Sequence, residues 1–412
     1  MTTTTQRAHL SASNINFDSI SNIPARPLTV LKPPARYPSN LTPLPSELRP
    51  LCAAKDCLAQ WLPHPDVLSE HATGPIPTDL QERIKAIALL GWADSTKAVY
   101  GVGLLVYHVF CDKKTISDKD RAPASSNLIS AFISCLAGAY SGSAIHNYFY
   151  GVRAWHTLYG LPWAVNENQI GIILKGAAKL APPTAKQVLR APITTDMMEI
   201  IKAHLRDQNP FDTAFFACLT TVFYAAARVG EFTLRRLDSF NPNEHITRNN
   251  VRDDIDARNG LHTKVFFLPR TKSNLNGEEV NWAKQNGPTD PLAAFAAHLT
   301  INDPPSDGPL FAYKDGTKHK PLTRHSFVKH LKATAKAAGI ESIQGHSIRI
   351  GATLEYLLRG MPFEVMKVKG RWASDAFQIY LRKHNQILAP YIQAMPPLTA
   401  TEFTRIAMPP VR

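Results

Sequence analysis

The sequence predicts a mainly α-helical protein with a small antiparallel β-hairpin or three-stranded sheet, arranged in two lobes. Apolar residues recur every three or four positions from Thr78 onward, as they do on helices that pack against a core. Two short segments with strand character, residues 264–269 and 278–282, flank a turn at residues 270–277. A basic, proline-bounded stretch at residues 182–192 is typical of a linker between lobes.

Length and composition bound the class of protein. A chain of 412 residues with 44% hydrophobic content can fill the cores of two or three domains. The formal charge of +13 indicates a polyanionic partner. No stretch approaches the ~18 apolar residues of a membrane-spanning helix, and the first residues lack the apolar core of a secretory signal. We therefore predict a nucleic-acid partner and no membrane association.

The five cysteines form no disulfide framework in a chain of this length, which indicates a reducing intracellular compartment. Cys52, Cys57, His64 and His71 are ligand types for zinc, but their spacing matches no standard zinc finger. We predict no metal site.

The N-terminal segment, residues 1–77, is rich in Pro, Ser and Thr. Prolines interrupt any regular spacing of its apolar residues, so we predict a disordered arm. Residues 51–61 contain enough apolar side chains for one short helix that docks on another part of the chain.

The first predicted lobe is a small bundle of helices. The apolar spacing predicts helices at residues 78–90, 95–110, 127–140, 143–159 and 168–180. In the first of these, Leu80, Ile84, Ile87 and Leu90 share one face.

The second predicted lobe adds helices to the predicted hairpin. These helices cover residues 194–205, 211–227, 325–338 and 346–358, and a last helix capped by Ser374 and Asp375 carries Tyr380. His346 and Arg349 are one turn apart, so both side chains can enter one pocket. Behind them, the i, i+4, i+7, i+8 spacing predicts a buried face of Ile350, Leu354, Leu357 and Leu358.

A motif near the C-terminus combines a His, an Arg and a Tyr. His346-Ser-Ile-Arg349-Ile-Gly is followed by Gly370-Arg371-Trp372-Ala-Ser-Asp and then by Tyr380. This order resembles the C-terminal signature of the tyrosine recombinase (phage integrase) family. The residues of this motif are most similar to those in recombinases of eukaryotic, especially fungal, mobile elements.

The resemblance implies a fold, a reaction and a set of catalytic residues. It implies a two-lobed clamp, with a helical core-binding domain at residues 78–181, a linker at 182–192, a catalytic domain at 193–395 and a tail at 396–412. The implied reaction is DNA cleavage and rejoining through a 3′-phosphotyrosine, with no metal, ATP or other cofactor. The candidate catalytic residues are Arg228, Lys272 (with Lys264 as the alternative), His346, Arg349, Trp372 and the nucleophile Tyr380, supported by Glu231 and Arg371.

The residue types suit this chemistry. Two arginines match the geometry and charge of the phosphate oxygens as the pentacoordinate state forms. Tyr380 must lose a proton on attack, which His346 can accept, and Lys272 on a hairpin can protonate the leaving 5′-oxygen.

The same resemblance implies partners and a compartment. We expect double-stranded DNA, a homo-tetramer on synapsed sites, and the nucleus. Candidate DNA-binding residues are Lys97, Asn147, Arg153, Lys186, Arg190 and Lys329.

One departure concerns the position nine residues before the tyrosine, where family members usually carry His or Trp. Arg371 occupies it here, and Trp372 lies one residue nearer Tyr380. We predict that Trp372 enters the pocket, that Arg371 faces DNA phosphates, and that Gly370 absorbs the shift with a positive φ. Two alternatives stay open: a type IB topoisomerase, and a domesticated DNA-binding protein of the same fold without turnover.

Overall fold

The computed structural model describes residues 37–71, 76–185, 190–272, 274–340, 343–374, 378, 381–382 and 384–392. The chain divides into two compact units, residues 1–187 and 188–412, and the division falls within the segment predicted as a linker. The structure is mainly helical with small antiparallel sheets, which confirms the predicted fold class. The predicted tail, residues 396–412, lies outside the described residues.

The prediction of a disordered arm is wrong for residues 37–71. This segment contains helices α1 (Cys57–Gln60) and α2 (Pro65–Glu70), and its Leu58 and Trp61 are completely buried in the core of the first unit. Polar contacts fix it as well, since Arg49 pairs with Asp118 at 2.7 Å. The few buried apolar residues of this segment are irregularly spaced, so periodicity does not reveal that the segment is folded. The short docking helix that we predicted is present. Residues 1–36 of the arm are not described.

The described part of the first unit contains five further α-helices: α3 (Thr78–Leu90), α4 (Asp94–Lys113), α5 (Ser126–Leu136), α6 (Gly142–Leu158) and α7 (Glu167–Lys179). Helices α4 and α6 cross closely because glycine stands at the contact. A Cβ on Gly103 would lie 2.6 Å from the α-carbon of Tyr148. Around this crossing pack buried aromatic side chains, including Tyr107 and Trp155. The helices predicted for this lobe are therefore present, within a few residues at each end.

Helix α3 differs from the other helices in how its apolar side chains are placed. Leu80, Ile84, Ile87 and Leu90 share a face, as predicted, but they are 46–73% exposed. No residue of α3 is buried. Spacing alone identifies an apolar face without saying what covers it.

The second unit contains eight helices among the described residues: α8 (Thr195–Ala203), α9 (Pro210–Tyr224), α10 (Val229–Phe232), α11 (Pro291–Asn302), α12 (Arg324–Ala337), α13 (Gly345–Leu358), α14 (Phe363–Lys369) and α15 (His384–Ile392). Helix α9 is the centre of this unit, because its residues from Ala214 to Tyr224 are all buried. Ile350, Leu354 and Leu357 of α13 are buried as predicted, whereas Leu358 is 40% exposed and was predicted wrongly.

A three-stranded antiparallel sheet consists of β1 (Val251–Ile255), β2 (His262–Leu268) and β3 (Glu278–Trp282) in that order. Leu268 pairs with Glu278, so the β2–β3 connection runs from residue 269 to residue 277. A second hairpin pairs β4 (Tyr313–Asp315) with β5 (Lys318–Lys320). Within the described residues, no helix is both long and apolar enough to cross a bilayer.

Candidate active site

A cavity of about 560 Å³ lies in the second unit, between α10, α13, the start of α12 and the β2–β3 connection. Five side chains of the predicted site line it: Arg228, Glu231, Lys272, His346 and Arg349. They come from three separate parts of the sequence. Four of the six predicted catalytic side chains, Arg228, Lys272, His346 and Arg349, therefore meet in one concave, positively charged site.

Arg228 is held in place by the glutamate three residues later. The backbone N–H of Arg228 donates to Glu231 Oε2 at 2.8 Å, and its Nη1 donates to Glu231 Oε1 at 2.8 Å. Helix α10 begins immediately after Arg228, so the glutamate closes the first turn of the helix onto the arginine. Burial would raise the pKa of Glu231, but Arg371 and Arg228 together lower it, and the carboxylate stays charged.

His346 and Arg349 lie on the first turn of α13, as their spacing predicts. Arg349 is 99% buried, and its Nη2 donates a hydrogen bond to the carbonyl of Gly370. A buried arginine keeps its charge and is oriented by the groups around it. Arg349 therefore presents a fixed guanidinium to the cavity.

The charge state of His346 follows from its surroundings. Its pKa is lowered, first by partial desolvation and then by the positive charges of Arg190, Arg324, Arg349 and Arg228. The imidazole is consequently neutral at physiological pH, and one ring nitrogen can accept a proton.

Lys272 and Lys264 have different environments, which separates the two candidates for the hairpin lysine. Lys272 is exposed in the β2–β3 connection and lines the cavity. Lys264 lies within β2, forms an ion pair with Asp253 on β1, and does not line the cavity. Of the two, only Lys272 faces the other candidate groups.

The Gly370-Arg371-Trp372 turn corrects our prediction for this motif. Gly370 has φ −84°, and the positive φ, 57°, belongs to Arg371. The glycine is needed for a different reason, since a Cβ there would lie 1.6 Å from Cζ3 of Trp372. The indole ring packs directly on the backbone of Gly370, and the guanidinium of Arg349 lies 4.3 Å from the ring centre. Trp372 thus contacts a lining residue, although it is not itself among the lining residues.

We predicted that Arg371 faces DNA phosphates, but its side chain does not face solvent. Only 10% of its side chain is exposed, and it forms ion pairs with Glu231 at 2.6 Å and Glu278 at 2.8 Å. The left-handed backbone of Arg371 directs its side chain inward, a direction that sequence spacing does not reveal. Arg228, Glu231, Arg371 and Glu278 form a row of alternating charges, which we call the four-charge row.

Several lining residues were not predicted from the sequence. They are Glu244, His245, Arg270, Thr271 and Arg324. Arg270 pairs with Glu244 at 2.7 Å at the edge of the cavity. The backbone of Arg324, the first residue of α12, donates to the carbonyl of Leu234 at 2.8 Å, which brings α12 close to α10. These contacts join residues far apart in sequence, and no local motif marks them.

The candidate DNA-binding residues have varied surroundings. Asn147 and Lys329 are exposed, and Arg190 is partly buried and lowers the pKa of His346. Lys97 pairs with Asp94 at 2.9 Å, and Arg153 pairs with Glu167 at 2.8 Å. The other candidate, Lys186, lies outside the described residues, as does the candidate nucleophile Tyr380.

No family model matches the chain, and no curated protein matches it. Solved structures do. The XerH site-specific recombinase in a post-cleavage complex with its palindromic difH substrate is 12% identical, with a TM-score of 0.50 over 84% of this chain and 98% of that one. XerA recombinase is 16% identical, with a TM-score of 0.35 over 78% of this chain and 100% of that one. A lambda integrase dimer on a COC′ core site is 11% identical, with a TM-score of 0.40 over 74% and 94%.

The likeness to XerH shows that the chain has the fold of the tyrosine recombinases. At this identity the likeness establishes the fold, and the activity has to be argued from the site.

Proposed function

We propose that this protein cleaves and rejoins duplex DNA through a covalent bond between Tyr380 and a 3′-phosphate. The observation that carries the proposal is the convergence of Arg228, Lys272, His346 and Arg349 on one cavity. Each of these residue types, taken alone, also occurs in purely structural roles. Together they supply two guanidiniums, a neutral imidazole and an exposed ammonium around a space that fits a phosphate.

The proposed reaction has two balanced steps. In the first, the Tyr380 oxygen bonds to phosphorus as the bond from phosphorus to the 5′-oxygen breaks. Arg228 and Arg349 stabilise the added negative charge, His346 accepts the phenol proton, and Lys272 gives a proton to the leaving oxygen. In the second, a 5′-hydroxyl attacks the phosphotyrosine and the same groups act in reverse, so the DNA backbone is restored.

The decisive experiment uses the full chain and nicked suicide duplexes cut from the DNA that flanks its own gene. A covalent protein–DNA adduct that migrates above free protein in a denaturing gel is expected. Tyr380→Phe should abolish the adduct and leave duplex binding close to wild type. An adduct that persists in this variant, or that maps to Tyr391, would reassign the nucleophile. Binding without any adduct on these duplexes would favour the domesticated DNA-binding alternative.

The proposed origin, compartment, partner and oligomeric state rest on the sequence motif and on what the neighbours bind. The Gly370-Arg371-Trp372 motif supports a mobile-element origin, and with it a nuclear site of action. The XerH neighbour was solved on a DNA substrate, which supports DNA as the partner. We propose a tetramer on synapsed sites, and a type IB topoisomerase would instead relax supercoiled plasmid as a monomer. Relaxation by a protein that stays monomeric on DNA would favour that alternative.

A further inference from the structure

We infer that Arg371 is a positioning residue that couples the connection bearing Lys272 to the phosphate-binding arginine Arg228. The inference rests on the proposed function, because it assigns a task to Lys272 in that reaction. It concerns the position that we predicted to face DNA.

The two ends of the four-charge row show what Arg371 joins. One of its guanidinium nitrogens donates to Glu231, the carboxylate that also holds Arg228, at 2.6 Å. Another donates at 2.8 Å to Glu278, the first residue of β3. Glu278 directly follows the connection that carries Lys272, so the side chain of Arg371 joins the end of that connection to the carboxylate that holds Arg228.

Burial makes the loss of one partner from these ion pairs more costly than in an ordinary surface pair. The exposed fractions of the side chains are 10% for Arg371, 7% for Glu231 and 17% for Glu278. Removal of one member would leave a charged partner with little water around it, which is costly. The planar fork of arginine can hold two carboxylates at once, whereas lysine offers a single point charge.

A neighbouring contact ties the same two segments together. Lys369, the last residue of α14, donates from Nζ to the side-chain oxygen of Asn281 on β3 at 2.9 Å. The end of α14 is therefore attached to β3 at Asn281, and the turn after it is attached at Glu278. Of the described residues between 269 and 277, by contrast, most are exposed. The position of the connection at the cavity therefore depends on where the first residues of β3 are held.

The backbone of Arg371 supports a specific role. Its φ of 57° is uncommon for a residue with a side chain, and such conformations persist only when surrounding contacts hold them. Two backbone hydrogen bonds at the end of α14 hold this conformation: the N–H of Arg371 donates to the carbonyl of Val368 at 2.9 Å, and the N–H of Trp372 donates to that of Lys367 at 3.1 Å. Within this helix cap, the side chain of Arg371 reaches both Glu231 and Glu278.

Glu278→Gln tests the coupling, and Glu279→Gln is its matched control. Glu279 is the next residue of the same strand, but it is exposed and pairs with Arg252 on β1. The first measurement is hydrogen–deuterium exchange of residues 269–277 in the full chain without DNA. We expect exchange to be about tenfold faster in Glu278→Gln and unchanged in Glu279→Gln. Equal exchange in both variants and the wild type would overturn the coupling.

The second measurement separates a role through Lys272 from a general loss of structure. A suicide duplex with sulfur in place of the leaving 5′-oxygen needs no proton donor, because a thiolate leaves readily as the anion. On the oxygen substrate at saturating DNA, Glu278→Gln should cleave about tenfold or more slowly than wild type. On the sulfur substrate it should stay within about twofold. Equal losses on both substrates would show that Glu278 does not act through Lys272.

Arg371→Lys is the second variant if Glu278→Gln folds poorly. It keeps the charge and loses the fork, so it should speed exchange of residues 269–277 and slow oxygen-substrate cleavage in the same way. If the wild type forms no adduct with either substrate, the proposed function fails. The exchange measurement still decides whether Arg371 holds the connection, because it requires no cleavage.

Discussion

The guanidinium of Arg349 lies 4.3 Å from the centre of the Trp372 ring, and its Nη2 also donates to the carbonyl of Gly370. The turn after α14 thus holds the buried arginine from two sides. An arginine that stacks on an aromatic ring keeps its charge while giving up water. The position of Arg349 in the cavity therefore depends on Trp372.

Trp372→Ala should lower the rate of the cleavage step and change the affinity for DNA only a little. A desolvated cation–π contact is worth about 2 kcal/mol, which corresponds to roughly 30-fold in rate. Single-turnover adduct formation at saturating DNA measures this step. Trp372→Phe keeps a ring beside Arg349 and should recover most of the rate. A phenylalanine variant as slow as the alanine variant would point instead to the indole N–H.

Gly370→Ala should destabilise the second unit. The new methyl group would collide with the Trp372 ring, which would have to leave its place on the backbone. Overpacking of this kind costs about 1–3 kcal/mol, measurable by chemical denaturation. Gly176→Ala is the control, since a Cβ there meets nothing within 4 Å on helix α7. The control should be neutral or slightly stabilising, and equal losses in both variants would contradict the contact.

Lys272→Ala should slow cleavage by about 10²-fold or more, the usual contribution of a positioned proton donor. Lys264→Ala is its counterpart on the same hairpin. Its ion pair with Asp253 is partly exposed and contributes little, so cleavage should remain within a few-fold of wild type. Rates on oxygen-leaving suicide duplexes decide between them. A larger loss in Lys264→Ala would reverse our assignment of the hairpin lysine.

His346 should give an acidic limb to the pH–rate profile. Because its pKa is lowered in the free protein, cleavage at subsaturating DNA should fall only below about pH 6.5, where the imidazole gains a proton. A bound phosphate partly offsets the surrounding arginines, so the limb should move to higher pH at saturating DNA. His346→Asn should be slower and lack the limb. If the acidic limb remains in His346→Asn, the titration of another group causes it.

His156 should make the first unit less stable in acid. Burial lowers its pKa to about 4, and its Nε2 accepts the backbone N–H of Ala124 at 2.9 Å. Between about pH 6.5 and pH 4 the unfolded chain binds the extra proton, so stability falls as the pH falls through this window. The loss should approach about 3 kcal/mol.

The measurement is denaturant unfolding at several pH values, with wild type compared with His156→Gln. The glutamine oxygen can accept the same N–H but does not titrate, so this variant should lose less stability in acid. His298, in the second unit, also has a pKa lowered to about 4 and provides an internal reference, because its contribution should be the same in both proteins. An unchanged pH dependence in His156→Gln would show that other groups carry the effect.

Local spacing was enough to predict part of the site. His346 and Arg349 fall on one turn of α13 because they are three residues apart. Arg228 and Glu231 were expected from the family resemblance, and the structure shows that their side chains pair within one helical turn. Strand and turn composition predicted the hairpin that carries Lys272: β3 has its predicted bounds, and β2 covers residues 262–268 where 264–269 was predicted. Periodicity also found α3, but whether its apolar face is covered depends on packing and not on the helix itself.

The sequence by itself determined which residue types are present and where the helices and the hairpin form, since these depend on contacts between near neighbours. Only the tertiary structure decided what Arg371 does. Its partner Glu278 is 93 residues away, and its inward direction follows from one backbone angle, φ 57°. The burial of residues such as Trp61 was decided in the same way. Long-range ion pairs and buried anchors have no period in the sequence, because the fold brings them together after the local elements have formed.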